Sequence, residues 1–501
     1  MTLGATQIQA IVDATKTPTA EQVRVIEAPR RPLLVVAGAG SGKTETMSMR
    51  VLWLLANHPD LTPASILGLT FTRKAAGELG DRLRERIRLL SRELPQMRER
   101  LDEDPVTLTY NSFAERIVSE HGMRIGIDPD FSMLSEAGAL DMMTQIVEAW
   151  PTDLDDDLSP AGVVGRILHL AGEIAEHGYT VEGARQALEG FGRELEIVGD
   201  SNKAARELHQ ANQRRIAFLG PIEAYQKRKR EMGLLDFSDQ LVLATRIVRE
   251  VPSVRAALRE EFRAVLLDEF QDTSVIQMEL LSTLFGDHAV TAVGDPNQAI
   301  YGWRGASASS LETFLERFQT GAPEEGQTLT LSTAWRNDVS ILEAANRVAE
   351  PLREVASYQE GKEQLNAQSP VLVPRPGAGR GVVEIAYPAA YEDALAATVD
   401  FVRRVRSRSR KDGSRRSVAV LSRRRKDFPL IDAALREAGI PTEIVGLGGL
   451  LDQPAVQDVR AALELGYDVA ASPWLARLLA GIDLGAADLM ALGDWARALA
   501  R

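Results

Sequence analysis

Ala37-Gly38-Ala39-Gly40-Ser41-Gly42-Lys43-Thr44 sets glycines at alternate positions ahead of a lysine and a threonine. In such a loop successive backbone N–H groups point at phosphate oxygens, and glycine lets the backbone approach them closely. Lys43 would then hold β- and γ-phosphates, and the Thr44 hydroxyl would ligate Mg²⁺. Ala37 stands at the first position of this pattern, where glycine is usual. A nucleotide site also needs carboxylates, and Asp268-Glu269 supplies them directly after the apolar run Ala264–Leu267. Asp268 would bind Mg²⁺ directly or through water, and Glu269 would polarise the attacking water as general base. An acidic pair after an apolar run is by itself an ordinary strand end. Together with the Lys43 loop it reads as a site that binds and hydrolyses a nucleoside triphosphate, with ATP and Mg²⁺ as the expected pair.

These residues need a frame, and the sequence predicts one of α/β class. Residues 31–37 read as a buried strand running into the glycines, and Lys43–Asn57 reads as the helix after them. A strand at 66–71 with a basic helix at 73–90 follows, and further strands fall at Ala264–Leu267 and 289–293. Short apolar runs alternating with long amphipathic segments indicate a parallel sheet flanked by helices. Between 113 and 232 strand signals give way to Ala-, Leu-, Glu- and Arg-rich stretches of helical period, as expected for a helical insertion. A second α/β unit is expected from 328, with strands at 382–387, 417–421 and 441–445 and a helix at 392–406. The segments predicted are 1–112 and 233–327 for the first domain, 113–232 for the insertion, 328–465 for the second domain and 466–501 for a second insertion.

Composition narrows the partners. At 501 residues the chain is too long for one core, and 45% hydrophobic with 26% charged residues is ordinary for a globular protein. There is no cysteine, which excludes disulfides, thiolate metal sites and a cysteine nucleophile, and suits the cytoplasm. The histidines (His58, His121, His169, His177, His209, His288) form no pair at metal-ligand spacing, and no apolar run approaches a membrane span. A net charge of −13 argues against histone-like coating of DNA but leaves room for a local positive track. Residues 403–426 carry twelve basic residues against Asp412, which reads first as solvated surface and second as a phosphate track.

Asp268-Glu269-Phe270-Gln271-Asp272-Thr273 resembles the DExQDT motif of superfamily 1 DNA helicases of the UvrD/Rep/PcrA type. Seven further segments resemble that family's motifs, in its order. They are Thr19-Ala20-Glu21-Gln22, Thr70-Phe71-Thr72-Arg73-Lys74-Ala75-Ala76, Thr109-Tyr110-Asn111-Ser112-Phe113, Leu235-Asp236-Phe237-Ser238-Asp239, the run VGDPNQAIYGWRGA from Val293 to Ala306, Thr333-Ala334-Trp335-Arg336 and Val420-Leu421-Ser422-Arg423. A P-loop kinase of small molecules would leave the long VGDPNQAIYGWRGA run unexplained.

The resemblance implies tandem RecA-like domains that translocate on single-stranded DNA with 3′→5′ polarity, acting at single-strand/duplex junctions in repair or recombination. It implies that Gln22 reads the adenine edge, that Trp335 stacks on the base, and that Gln298 and Arg336 reach the γ-phosphate. It places Phe71, Arg73, Lys74, Tyr110, Asn111, Tyr301, Trp303 and Arg304 on the DNA, with Phe237 a further contact. The sequence departs from the family at Glu45, where arginine is common, at Asn111 for histidine, and at Trp335 for tyrosine. The GKTET, TYNSF and IYGWRGAS variants are similar to the AdnB-type helicase-nuclease subunits of actinobacteria, which implies a second subunit as partner. The family's last two motifs are not found before Arg501, so a truncated second domain is expected. On that ground the rival expectation is an ATP- and DNA-binding scaffold or regulatory half of a complex, without motor activity.

Overall fold

Runs such as LLVVA and ILGLT have no polar alternation, so both faces of their strands must be covered. In the computed structural model they lie in one parallel sheet. The structure describes residues 2–128, 130–152, 154, 158–199, 203–302, 305–306, 310–319, 326–357, 369–408, 413–445, 454–467, 472–481 and 484–499. The strands are β1 (Leu33–Ala37), β2 (Ile66–Thr70), β3 (Val106–Thr109), the short pair β4 (Ser132–Met133) and β5 (Leu234–Leu235), β6 (Ala264–Leu267), β7 (Val290–Gly294), β8 (Gln327–Leu331) and a second short pair, β9 (Thr333–Ala334) and β10 (Val373–Pro374). β4 pairs with β5 and β9 with β10, and the other six form one sheet in the order β3-β2-β6-β7-β1-β8, every pairing parallel.

Alternate side chains of each strand enter opposite cores. Leu34, Val36, Leu67, Leu69, Val265 and Leu267 pack on one face with helices α5 (Tyr110–His121), α10 (Phe237–Glu250) and α12 (Val275–Phe285). Leu33, Val35, Ala37, Ile66 and Leu266 pack on the other with α1 (Ala5–Val12), α2 (Ala20–Ile26), α3 (Lys43–Asn57) and α4 (Arg73–Glu93). Arg50 of α3 is 1% exposed between them. Its guanidinium donates to the carbonyls of Val25 (2.9 Å), Ala28 (2.8 Å) and Pro29 (3.1 Å) and to the Thr291 hydroxyl (2.9 Å). Burial without a carboxylate lowers its pKa to about 9. The charge caps the C-terminal end of α2 and ties that helix to β7.

Helices α6 (Glu136–Glu148), α7 (Pro160–Glu176), α8 (Val181–Val198) and α9 (Lys203–Glu231) form a helical layer with its own core, including Met143, Val164, Ile167, Leu219 and Ile222. The expected start of this insertion at 113 needs correction. Phe113, Ala114, Ile117 and Val118 of α5 belong to the sheet's core, so the layer begins with α6. The strand read at 328 as the opening of a second α/β unit is β8, the edge of the first sheet, hydrogen-bonded along β1. A lone short strand carries no information about its partner, which is why its sequence misleads.

The chain divides into units 1–383 and 384–501. The second contains helices over Tyr391–Arg406, Phe428–Glu437, Pro454–Tyr467, Ser472–Ala480 and Ala486–Leu499. A small core joins Val402, Leu435 and Ile440. The strands expected at 382–387, 417–421 and 441–445 form no ladder among the described residues. Within the basic stretch Arg404 pairs with Glu384 and Arg424 with Asp427, while Arg410 and Lys411 lie outside the described residues. No described helix is long and apolar enough to cross a membrane.

Candidate functional site

Because the strands are parallel, their C-terminal ends open on one edge, the usual ligand edge of such sheets. The glycine loop leaves β1, the acidic pair leaves β6, and Asp295 to Tyr301 leave β7. Gly40 (φ 74°) and Gly42 (φ 82°) take left-handed conformations that a side chain would strain. The Ser41 hydroxyl inside this loop is buried with no hydrogen-bond partner among the described residues, as a donor meant for a phosphate oxygen would be. Ala37, Gly38 and Ala39 complete the turn from strand to loop.

Lys43 opens α3, and its Nζ lies 2.8 Å from Glu269 Oε2. Glu269 itself sits at φ 49°, ψ 42°, left-handed for a non-glycine residue, a strain of order 1–3 kcal/mol. Burial works to raise its pKa, but Lys43 and the Gln271 amide outweigh it and hold the carboxyl below its ordinary value. Asp268 differs. Burial first, and the Glu269 charge second, raise it from an ordinary 3.8 to about 6. Such a buried carboxylate, with the Thr44 hydroxyl in the first turn of α3, offers hard oxygen ligands that suit Mg²⁺.

The sign of the Asp268 shift makes a prediction. A folded-state pKa above the unfolded one means that ionised Asp268 destabilises the apo fold above about pH 6, and that this penalty vanishes below the ordinary 3.8. Asp268→Asn is therefore expected to stabilise the nucleotide-free chain by roughly 2–3 kcal/mol at pH 7.5 and by little near pH 4. Thermal unfolding at both pH values checks it.

The base side of the pocket is also assembled. Thr19 and Gln22 form a capping box at the start of α2, with Gln22 Oε1 accepting the Thr19 N–H (2.9 Å). Gln22 Nε2 then faces the loop, 3.2 Å from where a Cβ on Gly42 would lie, and Trp335 Cδ1 lies 3.8 Å from that point. The Trp335 N–H donates to the Gly40 carbonyl (2.8 Å). Exposed Arg336 follows, its Cβ 3.0 Å from the place of a Gly40 Cβ. Both residues therefore stand over the loop within the first unit, not on a separate second domain as the segment starting at 328 implied. Glu21, unremarked in the sequence, holds them there by accepting the N–H (2.9 Å) and hydroxyl (2.7 Å) of Ser332.

Of the residues expected on DNA, Phe71 stacks on Tyr301 with ring centres 5.0 Å apart and planes at 21°. Arg73 and Lys74 are exposed in the first turn of α4, which has no acidic residue. A helix N-terminus disfavours cations, and Lys74 has only the exposed carboxylate of Glu78, at 3.9 Å, as an ion-pair partner among the described residues, so a phosphate there would be favoured. Asn111 accepts from Gln277 Nε2 (3.4 Å) in a cleft of about 850 Å³, which Phe71, Phe237, Glu176 and Asp272 also line. Tyr110 is a correction. It is 3% exposed, and its hydroxyl donates to the Asp268 carbonyl (3.0 Å), so it supports the acidic turn from beneath instead of contacting a strand. Burial, and next the Asp268 charge, push its pKa up. Gln298 is exposed and anchored to Asp295 Oδ2 (2.7 Å). Trp303 and Arg304 lie outside the described residues.

A phosphate loop on β1, an acidic pair on β6 and a polar loop on β7 define a P-loop NTPase domain of the RecA-like kind. The family model described as UvrD/REP helicase N-terminal domain matches residues 18–319, and the chain belongs to that family. It is 30% identical over 334 residues to DNA helicase II of Escherichia coli, covering 66% of this chain and 40% of that protein. It is 28% identical over 334 residues to the ATP-dependent DNA helicase PcrA of Staphylococcus epidermidis, with the same two coverages. The Staphylococcus aureus PcrA is 28% identical over 333 residues, 66% of this chain and 39% of that one. The chain thus spans about 40% of the length of these relatives.

Proposed function

We propose that this chain binds ATP·Mg²⁺ and single-stranded DNA and serves an ATP-driven DNA helicase or translocase with 3′→5′ polarity in DNA repair or recombination. The observation that carries the reading is one sheet edge holding both an NTPase constellation and an aromatic pair flanked by cations. Lys43, Ser41 and the loop N–H groups bind the phosphates, and Gln22 and Trp335 take the adenine. Glu269 orients the attacking water and accepts its proton, while Arg336 and Gln298 face the γ-phosphate. Thr44 and Asp268 would hold Mg²⁺, which supplies charge neutralisation between the phosphates.

On the DNA side, Phe71 and Tyr301 present π-faces that accept any base, a contact worth roughly 1–3 kcal/mol per base and indifferent to sequence. Arg73 and Lys74 contact backbone phosphates, which set affinity and salt dependence rather than sequence choice. A second subunit and a helicase-nuclease context belong to this reading through the AdnB-type resemblance alone.

The test is ATP hydrolysis by the chain with and without single-stranded DNA, beside Lys43→Ala. Turnover stimulated at least tenfold by DNA, and lost with Lys43, is the expected result. ATP and DNA binding without stimulated turnover would favour the non-motor scaffold; absence of either binding would overturn the reading.

A further inference from the structure

Gln271 is 3% exposed and is assigned no step in the chemistry above. Its Nε2 donates to Glu269 Oε2 (2.9 Å) and to Asp272 Oδ2 (3.3 Å), while its Oε1 accepts the backbone N–H of Asp295 (3.0 Å). Carboxylates can only accept and a backbone N–H can only donate, so one orientation of the carboxamide satisfies all three contacts. The strand beside it is shaped to admit it. A Cβ on Gly294 would fall 2.8 Å from Gln271 Oε1 and 3.1 Å from its backbone nitrogen.

The two sides of this amide lead to different ligands. On one side stands Glu269, shared with Lys43. On the other stands Asp295, 2% exposed, whose carboxylate accepts from Gln298 Nε2 (2.7 Å), the Asn297 N–H (3.0 Å) and the Ser369 hydroxyl (2.7 Å). The same loop continues to Ile300, whose N–H bonds the Asp272 carboxylate, and to Tyr301 on Phe71. Antiparallel bridging of Ser274 with Ala306 and the Ser310 hydroxyl on the Thr273 carbonyl (3.1 Å) fasten the two segments further along. Gln271 thus touches both the base and the backbone of the 295–301 loop.

We propose that Gln271 is a positioning residue that makes the orientation of Glu269 and the position of the 295–301 loop interdependent, so that nucleotide and DNA are coupled through its carboxamide. The proposal rests on the ATP and DNA reading above. When the phosphates of ATP draw Lys43 away from Glu269, the Gln271 N–H remains on Oε2 and keeps the base from swinging free. When a base enters at Phe71 and Tyr301, the loop must move, and the Asp295 N–H pulls the same planar amide with it. A carboxamide is rigid, so a shift at one end is felt at the other.

Linkage gives the measurement. The affinity of the full chain for a fluorescent oligothymidylate is measured with and without a non-hydrolysable ATP analogue, and the analogue's affinity with and without DNA. The unsubstituted chain is expected to show a reciprocal coupling factor of about 5–150. Gln271→Met keeps the length and removes both donor and acceptor. Gln271→Glu keeps an acceptor for Asp295 but sets a carboxylate against Glu269. Gly294→Ala crowds Gln271, and Leu311 beside it, while removing no carboxylate. Each is expected to bring the coupling factor to within about twofold of one, and to cut DNA stimulation of turnover at least tenfold, with each ligand alone bound within about threefold of the parent. Unchanged coupling in Gln271→Met, or loss of both separate affinities in all three variants, would overturn the positioning role. So would a parent chain that binds both ligands without coupling. A parent chain that binds neither ATP nor DNA would instead overturn the function proposed above.

Discussion

Glu269→Gln is expected to lower ATP turnover by about 10²–10⁴-fold while ATP is bound at least as tightly as by the parent chain. The rate falls because an amide cannot accept the proton of the attacking water. Binding holds or improves because of what Glu269 does without nucleotide. Its Oε2 sits 2.8 Å from Lys43 Nζ, and this ion pair must break before the lysine can reach a phosphate. The neutral amide removes a competitor for Lys43 and one negative charge from a pocket that must receive several. Its carbonyl still accepts from the Gln271 amide, so the turn has no reason to rearrange. Lys43→Ala should behave oppositely, losing affinity together with turnover, because the phosphates then lose their cation. Equilibrium binding of a fluorescent ATP analogue beside single-turnover hydrolysis separates the two. If Glu269→Gln turned over ATP within tenfold of the parent, another group would be the base.

Why the nucleotide residues could be read from the sequence and others could not is a matter of range. Gly38 to Thr44 form their site by local geometry, one strand end and one helix start, and the residue types that phosphate chemistry demands are adjacent in the chain. Asp268-Glu269 is legible for the same reason, as the end of an apolar strand. The supports of the site are long-range and leave no such trace. Arg50 reaches Thr291 across 241 positions, Ser332 reaches Glu21 across 311, and the Tyr110 hydroxyl reaches the Asp268 carbonyl across 158. Tyr110 was expected on DNA through its motif, yet an aromatic within a motif can equally serve as that motif's floor. Gln271 carried a signal, as the glutamine of DExQDT, but a pattern does not say which neighbour the amide meets. The edge strand at Gln327–Leu331 shows the same limit at the level of the fold. Its residues specify a strand, and only the unfilled edge of β1 specifies where it goes.

The second large effect is expected where the helical layer joins the sheet. Lys229, near the end of α9, has a side chain 5% exposed, with Nζ 2.5 Å from Asp236 Oδ2 and 2.6 Å from Asp239 Oδ2, and 4.6 Å from the Tyr225 ring centre. The two aspartates cap α10, each accepting the other's backbone N–H at 2.9 Å. The LDFSD element, legible as the return from the insertion, therefore also cages the last buried cation of that insertion. Lys229→Met should cost about 3–5 kcal/mol at pH 8, because two carboxylates then face each other with no counter-charge. Asp239 is already raised by burial and by Asp236, with Lys229 acting against them. Removing the lysine lifts it further above its unfolded value, so the ionised carboxylate destabilises the fold above that raised pKa and the penalty shrinks as pH falls. The loss should accordingly be smaller at pH 5 than at pH 8, and Lys229→Met with Asp239→Asn should regain part of it. Urea unfolding of the three chains at both pH values decides the matter. An equal loss at both pH values, unrelieved by Asp239→Asn, would assign the effect to packing against Tyr225 instead of charge. The pH-dependent outcome has a functional consequence, since Phe237 lines the cleft directly after Asp236 and shares it with Phe71. A charge cage at the junction of α9 and α10 then fixes how the helical layer joins the surface proposed to carry the strand.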